Sequence, residues 1–124
     1  MIEKTRILKF TDLIVWREAH KLVLLVYKIS EKFPEKEKFG LTNQIRRASV
    51  SITSNIAEGF ARYSVKDKKH FYIMSKASLS EVENQLIIAH DLGFINDQDN
   101  LTLVNQSEIV GRLLTGFVKS TSNL

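Results

Sequence analysis

The sequence has 124 residues, of which 44% are hydrophobic and 26% charged, with a formal net charge of +4. These values are typical of one globular domain and exclude an intrinsically disordered chain. Cysteine is absent, which excludes disulfides and thiolate metal sites. The longest apolar run, residues 22–27, is far shorter than the ~20 residues that cross a membrane. Because the first ten residues also lack the pattern of a signal peptide, we expect a cytoplasmic protein without a membrane partner.

The charge is distributed unevenly along the chain. Residues 1–76 contain 16 Lys and Arg against 8 Asp and Glu, whereas residues 77–124 contain 2 against 6. A basic region can attract nucleic acid, and it can equally pair with the acidic region of a second copy. A solvated helical surface with neither role is the third interpretation.

Apolar residues recur at spacings of three and four in four segments, which predicts four helices. The first helix is predicted over about residues 12–33, with Thr11 or Asp12 as its N-terminal cap and Pro34 as its stop. The second is predicted over about residues 40–61.

The third helix is predicted over about residues 65–92, because Ser64 begins a Ser-x-x-Asp capping sequence and Gly93 favours a helix end. The fourth is predicted over about residues 98–119. Its predicted core stripe consists of Leu101, Val104, Ile109, Leu113, Leu114 and Phe117. Its two glycines, Gly111 and Gly116, each weaken a helix by about 1 kcal/mol relative to alanine, or permit a neighbour to approach closely.

Four helices joined by short loops predict one all-α domain over residues 1–124, an antiparallel up-down-up-down four-helix bundle. The second helix has a polar stripe beside its apolar one. Its members are Arg47, Ser51, Asn55 (or Ser54) and Glu58, at spacings of four, four and three with Asn55. Ser78 and Glu81 of the third helix are expected to face this stripe, with Arg47 paired to Glu81.

Three interpretations of the polar stripe are open. It can be a polar layer that sets the register of two helices, or a groove for a ligand or nucleic acid. It can also hold a catalytic carboxylate pair, Glu58 and Glu81, although neither a nucleophile nor a set of metal ligands accompanies these residues. We predict that the protein is not an enzyme.

A cluster of basic residues occupies the start of the third helix. Its members are Arg62, Lys66, Lys68, Lys69 and His70, accompanied by Tyr63 and Tyr72. Cations can hold phosphates while aromatic rings stack on unpaired bases, so the cluster is the candidate nucleic-acid-binding surface. The alternative is a solvated helix start, although cations there are unfavourable for the helix itself.

The three histidines, His20, His70 and His90, lie far apart and lack the spacing of metal ligands. We therefore predict no metal site, and the residues indicate neither a cofactor nor a small-molecule substrate.

Five motifs in this sequence characterise a known family. They are Phe10-x-Asp12-Leu13-x-Val15-Trp16, Phe33-Pro34, Leu41-x-x-Gln44-Ile45-Arg46-Arg47-Ala48-x-x-Ser51-Ile52-x-x-Asn55-Ile56-Ala57-Glu58-Gly59, Ser78-x-x-Glu81 and Leu92-Gly93-Phe94-Ile95. The sequence resembles the four-helix-bundle proteins encoded in intervening sequences of bacterial 23S ribosomal RNA genes, also called S23 ribosomal proteins. One departure is Ala77, where the family often has glycine; we expect it to limit close packing slightly.

The resemblance implies a homopentamer with a central channel. It also implies a fold similar to that of the accessory protein of diversity-generating retroelements, which binds nucleic acid and a reverse transcriptase. We therefore expect a non-enzymatic, oligomeric bundle that binds structured RNA or DNA through a basic surface. The alternative is a structural protein–protein interaction module that does not bind nucleic acid.

Overall fold

The computed structural model describes residues 6–122. Its helices are α1 (Ile14–Ser30), α2 (Leu41–Ala61), α3 (Val65–Asp91) and α4 (Asp97–Ser122), with single 3-10 turns at Phe10–Asp12 and Glu35–Glu37. The described range contains no strand, which confirms the all-α class.

The helices are antiparallel, as contacts between α1 and α4 illustrate. Gln106 Nε2 donates a hydrogen bond to the Glu18 carbonyl oxygen at 2.8 Å, and Lys32 Nζ, two residues after the end of α1, lies 3.0 Å from Asp99 Oδ2. Residue numbers therefore rise along α1 as they fall along α4. Contacts between α2 and α3 and between α3 and α4 follow the same opposite order, so the arrangement is up-down-up-down.

Predicted capping signals define both ends of α3. Ser64 Oγ accepts a hydrogen bond at 3.1 Å from the backbone N–H three residues later. Gly93 has a φ of +80°, which favours glycine. Its N–H donates to the His90 carbonyl oxygen while the N–H of Phe94 donates to that of Ala89. This pair of bonds is the Schellman motif.

The start of α1 differs from the prediction. The Asp12 carboxylate does not cap the helix but accepts hydrogen bonds from the backbone N–H groups of Lys9 and Leu8, each at 2.9 Å. These two bonds hold the pKa of Asp12 below its ordinary value. The helix itself extends from Ile14 to Ser30, within three residues of the predicted bounds at either end.

The core face of α4 also differs from the prediction. Leu101 is 60% exposed, whereas Leu103 and Val110 are buried. Ser107 lies on the same buried face, and a polar residue there weakens the apolar spacing by which that face could be recognised. The prediction for Leu101 was therefore wrong.

Helices α2 and α3 approach each other closely along a line of small and polar residues, which we call the α2–α3 seam. It comprises Ser51, Ile52, Asn55 and Gly59 of α2 and Tyr72, Ser75 and Ser78 of α3. A Cβ atom at Gly59 would lie 2.5 Å from Tyr72 Cε1, far inside van der Waals contact. Buried Ser75 donates a hydrogen bond of 2.8 Å to the carbonyl oxygen of Ile52. Ala77 is exposed, so the expectation that its methyl group limits this packing was wrong.

Because Gly59 permits this approach, we expect Gly59→Ala to lower the free energy of unfolding by about 1–2 kcal/mol, since overpacking outweighs the better helix propensity of alanine. Gly116→Ala is the matched control, because a Cβ atom there would meet nothing within 4 Å. It should raise stability by roughly 0.5–1 kcal/mol. Urea denaturation measures both values, and equal effects at the two sites would contradict the close approach.

Candidate nucleic-acid interface

The middle of the polar stripe is part of the α2–α3 seam. The hydroxyl groups of Ser51 and Ser78 are hydrogen-bonded at 2.8 Å. Asn55 Nδ2 donates to the backbone oxygen of Ser51 at 2.9 Å and to its Oγ at 3.1 Å. All of these bonds lie within the chain, and they favour a role in setting the register of α2 and α3.

The charged residues at the two ends of the stripe are exposed, and only one of them forms an ion pair. Glu58 pairs with Arg62, one turn later, at 3.3 Å. The predicted pair between Arg47 and Glu81 is not formed: within residues 6–122 neither side chain lies within 4.0 Å of an opposite charge. A surface ion pair contributes only about 0–1 kcal/mol and requires two long side chains to be ordered, so little free energy draws these groups together.

The structure does not bring the two candidate catalytic carboxylates together. Glu58 lies beside Gly59, which contacts Tyr72, whereas Glu81 is nine residues further along α3. At 1.5 Å per residue this separates them by about 14 Å along the bundle. The described residues contain no group of three or more His, Cys, Asp or Glu side chains that could hold a metal ion.

One member of the basic cluster has a structural role. Lys68 Nζ donates to the carbonyl oxygens of Phe60, at 2.8 Å, and Gly59, at 3.4 Å. It also lies 5.4 Å from the centroid of the Phe60 ring. A cation is favourable at the C-terminal end of a helix, where carbonyl groups lack partners. Lys68 therefore caps α2.

Two more side chains near the junction of α2 and α3 make contacts within the chain. Tyr72 is 2% exposed and packs against Phe117, with ring centroids 4.5 Å apart. Burial also raises the pKa of Tyr72. The Arg62 guanidinium lies 4.6 Å from the centroid of the Phe71 ring. Tyr72 is therefore unable to stack on a base, contrary to the sequence-based interpretation.

The remaining members form what we call the corner surface, which comprises Tyr63, Lys66, Lys69 and His70. The Tyr63 side chain is fully exposed, at 101% of its reference area. Lys66 and His70 are exposed and Lys69 is half-buried. Neither lysine forms an ion pair with any residue in the described part of the chain.

The fold brings further cations to the end of the bundle that carries the corner surface, and the sequence analysis did not identify them. Ile7 of the N-terminal segment and Phe117 near the end of α4 line one groove, and Phe117 packs on α3 close to the corner. This arrangement places Arg6, Lys9 and Lys119 at the same end of the bundle as the corner surface. These cations could have been identified from the sequence, because the antiparallel order of the helices brings both ends of the described chain next to the junction of α2 and α3.

The bundle therefore has a basic end and an acidic end. At the corner end, residues 6–12, 58–70 and 117–122 contain seven Lys or Arg against three Asp or Glu. At the other end, residues 31–38 and 91–99 contain three against six. Although the charge asymmetry first appears between the two parts of the sequence, the fold converts it into an asymmetry along the bundle axis.

The fold and its charge distribution define an antiparallel four-helix-bundle protein with one basic end. Residues 11–116 match the 23S rRNA-intervening sequence protein family, and the chain belongs to that family. A solved structure with the same fold, a protein of unknown function from the S23 ribosomal protein family of Bacteroides thetaiotaomicron VPI-5482, is 20% identical with a TM-score of 0.79. The match covers 86% of this chain and 96% of the other.

A comparison with curated proteins finds no match. Among the helices of residues 6–122, none combines the length and the apolar composition needed to cross a bilayer.

The roles assigned to the two lysines predict different effects on stability. Lys68→Met should lower the free energy of unfolding by about 1 kcal/mol, because methionine keeps part of the alkyl chain but loses the bonds to the end of α2. Lys66→Met, the matched control on the same turn, should change stability by less than about 0.5 kcal/mol. Thermal and urea denaturation provide the comparison. Indistinguishable variants would mean that Lys68 does not cap α2.

Proposed function

We propose that this is a cytoplasmic, non-enzymatic protein that binds nucleic acid, in the first place structured RNA with unpaired loops, through the corner surface. The observation that supports this function best is the complete exposure of Tyr63, three residues before Lys66, which forms no ion pair within residues 6–122. A tyrosine in this position contributes no packing to the bundle, yet it presents both faces of its ring to a ligand.

The spacing of the corner residues suits a nucleic-acid strand. Lys66, Lys69 and His70 are three and four residues apart on α3, so they lie on one side of the helix. A strand that follows this side could place phosphates on the cations while an unpaired base stacks on Tyr63. The surrounding positive charge at this end would increase the rate of association at low ionic strength.

We also propose that copies of the chain assemble into the homopentamer that the family resemblance implies. Apolar side chains exposed on α3 support association: Ile73 is 48% exposed, Ile87 62% and Ile88 41%. An assembly presents several corner surfaces to one RNA molecule, and simultaneous contacts increase the overall affinity.

The same apolar side chains favour a second candidate function, a structural module that binds another protein and no nucleic acid. The two functions predict different results in a pull-down performed with and without nuclease. If the corner surface binds RNA, nuclease releases the captured material, whereas a direct protein partner is retained.

The test uses a fluorescently labelled RNA stem–loop and anisotropy at increasing salt. We expect the affinity of the wild-type protein to fall as salt rises, with a slope that decreases by about 1.4 in the Lys66→Glu/Lys69→Glu variant, or about 0.7 for each lost phosphate contact on a single strand. Absence of binding by the wild-type protein at about 50 mM salt would sink the proposal.

Tyr63 provides a separate prediction. Tyr63→Ala should weaken binding of the stem–loop about fivefold or more, because stacking contributes about 1–3 kcal/mol per base, whereas Tyr63→Phe should bind like the wild-type protein. The salt slope should remain unchanged in both variants, since neither removes a charge. A fully paired duplex without a loop should bind the wild-type protein and the Tyr63→Ala variant with equal affinity.

Lys36→Glu/Lys38→Glu is the matched control for the charge reversal. It changes the net charge by the same amount, but these exposed lysines lie at the other end of the bundle. Its affinity should stay close to that of the wild-type protein. If both double variants lose affinity equally, binding depends on total charge and the corner surface has no special role.

A further inference from the structure

A groove of about 380 Å³ opens on the outside of the bundle between α3 and α4, and we call it the acidic groove. Its lining includes Glu83, Ile87, His90 and Asp91 of α3 and Val104 and Glu108 of α4. None of the three carboxylates forms an ion pair within residues 6–122, whereas His90 is paired with Asp97 at 2.8 Å. Ile87 is 62% exposed. The groove therefore combines exposed apolar area with unpaired negative charge, a combination typical of an interaction surface.

A surface of the opposite charge lies on the outward side of α1, and we call it the α1 ridge. It consists of Lys21, Leu24 and Lys28, which are three and four residues apart and therefore lie on one side of the helix. All three are exposed, Leu24 over 57% of its area. Lys21 contacts Glu18 at 2.7 Å, whereas Lys28 forms no ion pair within the described part of the chain. The ridge thus presents an apolar side chain between two cations.

The ridge and the groove lie at the same height along the bundle. The contacts of Glu18 with Gln106 and of Lys32 with Asp99 bracket the ridge on α1. The α4 wall of the groove, residues 100–108, lies beside the same stretch of α1. Rotation about an axis parallel to the helices keeps every residue at its height. A ring with such an axis therefore brings the ridge of one copy level with the groove of the next.

The two surfaces also lie on adjoining sides of the bundle. Helix α4 packs against both α1 and α3, so the ridge is separated from the groove by α4 and is not directly opposite to it. A contact between two unlike surfaces is heterologous, and it generates a closed ring when the rotation from copy to copy closes. Because the surfaces are not opposite each other, successive copies turn round an axis instead of forming a straight row.

We infer that the acidic groove of one copy binds the α1 ridge of the next copy, with Leu24 packed on Ile87 and Lys28 paired with Asp91. A second copy is the partner because its α1 carries the complementary charges at the matching height. This inference rests on the assembly included in the proposed function, and it specifies the two surfaces. Both surfaces lie towards the end opposite the corner surface, so the contact leaves Tyr63 exposed.

Charge reversal tests the pairing by sedimentation velocity over a range of protein concentrations. Lys28→Glu and Asp91→Lys should each raise the dissociation constant of self-association about tenfold or more, because like charges then face each other. The double variant Lys28→Glu/Asp91→Lys should restore association, because glutamate at position 28 of every copy then meets lysine at position 91 of the next. Its net charge equals that of the wild-type protein, so total charge cannot explain a loss in the single variants.

Arg47→Glu and Glu81→Lys are the matched controls. Both residues are exposed and line the groove between α2 and α3, outside the two proposed surfaces. They should leave association unchanged, and circular dichroism should show wild-type helix content in all variants. The inference is overturned if the wild-type protein is monomeric, if the double variant stays dissociated, or if Glu81→Lys weakens association as much as Asp91→Lys.

Failure of this inference is distinguishable from failure of the proposed function. The Lys28→Glu and Asp91→Lys variants retain the entire corner surface, so their salt-dependent binding to the RNA stem–loop can be measured on dissociated subunits. Restored association in the double variant, without RNA binding by the wild-type protein, would support the pairing and overturn the RNA-binding proposal. RNA binding by a wild-type monomer would do the opposite.

Discussion

The close approach of α2 and α3 is the constraint on which the rest of this structure depends. It requires a position without a side chain, Gly59, because the Tyr72 ring occupies the space where a Cβ atom would lie. It also lets buried Ser75 reach the backbone of α2, which a larger separation would prevent. The two helices are then joined by only three residues, 62–64, and this tight corner turns Tyr63 outward to solvent.

The helices could be predicted from the sequence because their signals are local. Apolar spacing, Ser64 and Gly93 act over a few residues, and the structure places the helix ends close to the expected positions. The facing of Ser51 and Ser78 was also predictable, since both lie beside an apolar stripe at helical spacing. Where a polar residue occupies a core position, as Ser107 does in α4, apolar spacing alone identifies the wrong face.

The candidate site was only partly predictable, because a sequence shows which cations are near one another but not which are already bound. Lys66 and Lys68 are two residues apart, yet their side chains point to different sides of α3, and only Lys68 reaches the end of α2. The pairing of Arg47 with Glu81 failed for a related reason. Facing positions bring two exposed charges within reach, but a small gain in water does not order both side chains.

The unequal sequence separation of the helix contacts has a consequence for how the chain folds. The hydrogen bonds between α1 and α2 and between α2 and α3 join residues 16 to 27 positions apart, whereas the bond from Gln106 to Glu18 spans 88. Because short loops close at a lower entropic cost, the hairpins of consecutive helices should form before α1 and α4 pack against each other. During synthesis α1 leaves the ribosome before α4, one of its two neighbours, has been made. Its apolar face must therefore remain partly uncovered until α4 has been made.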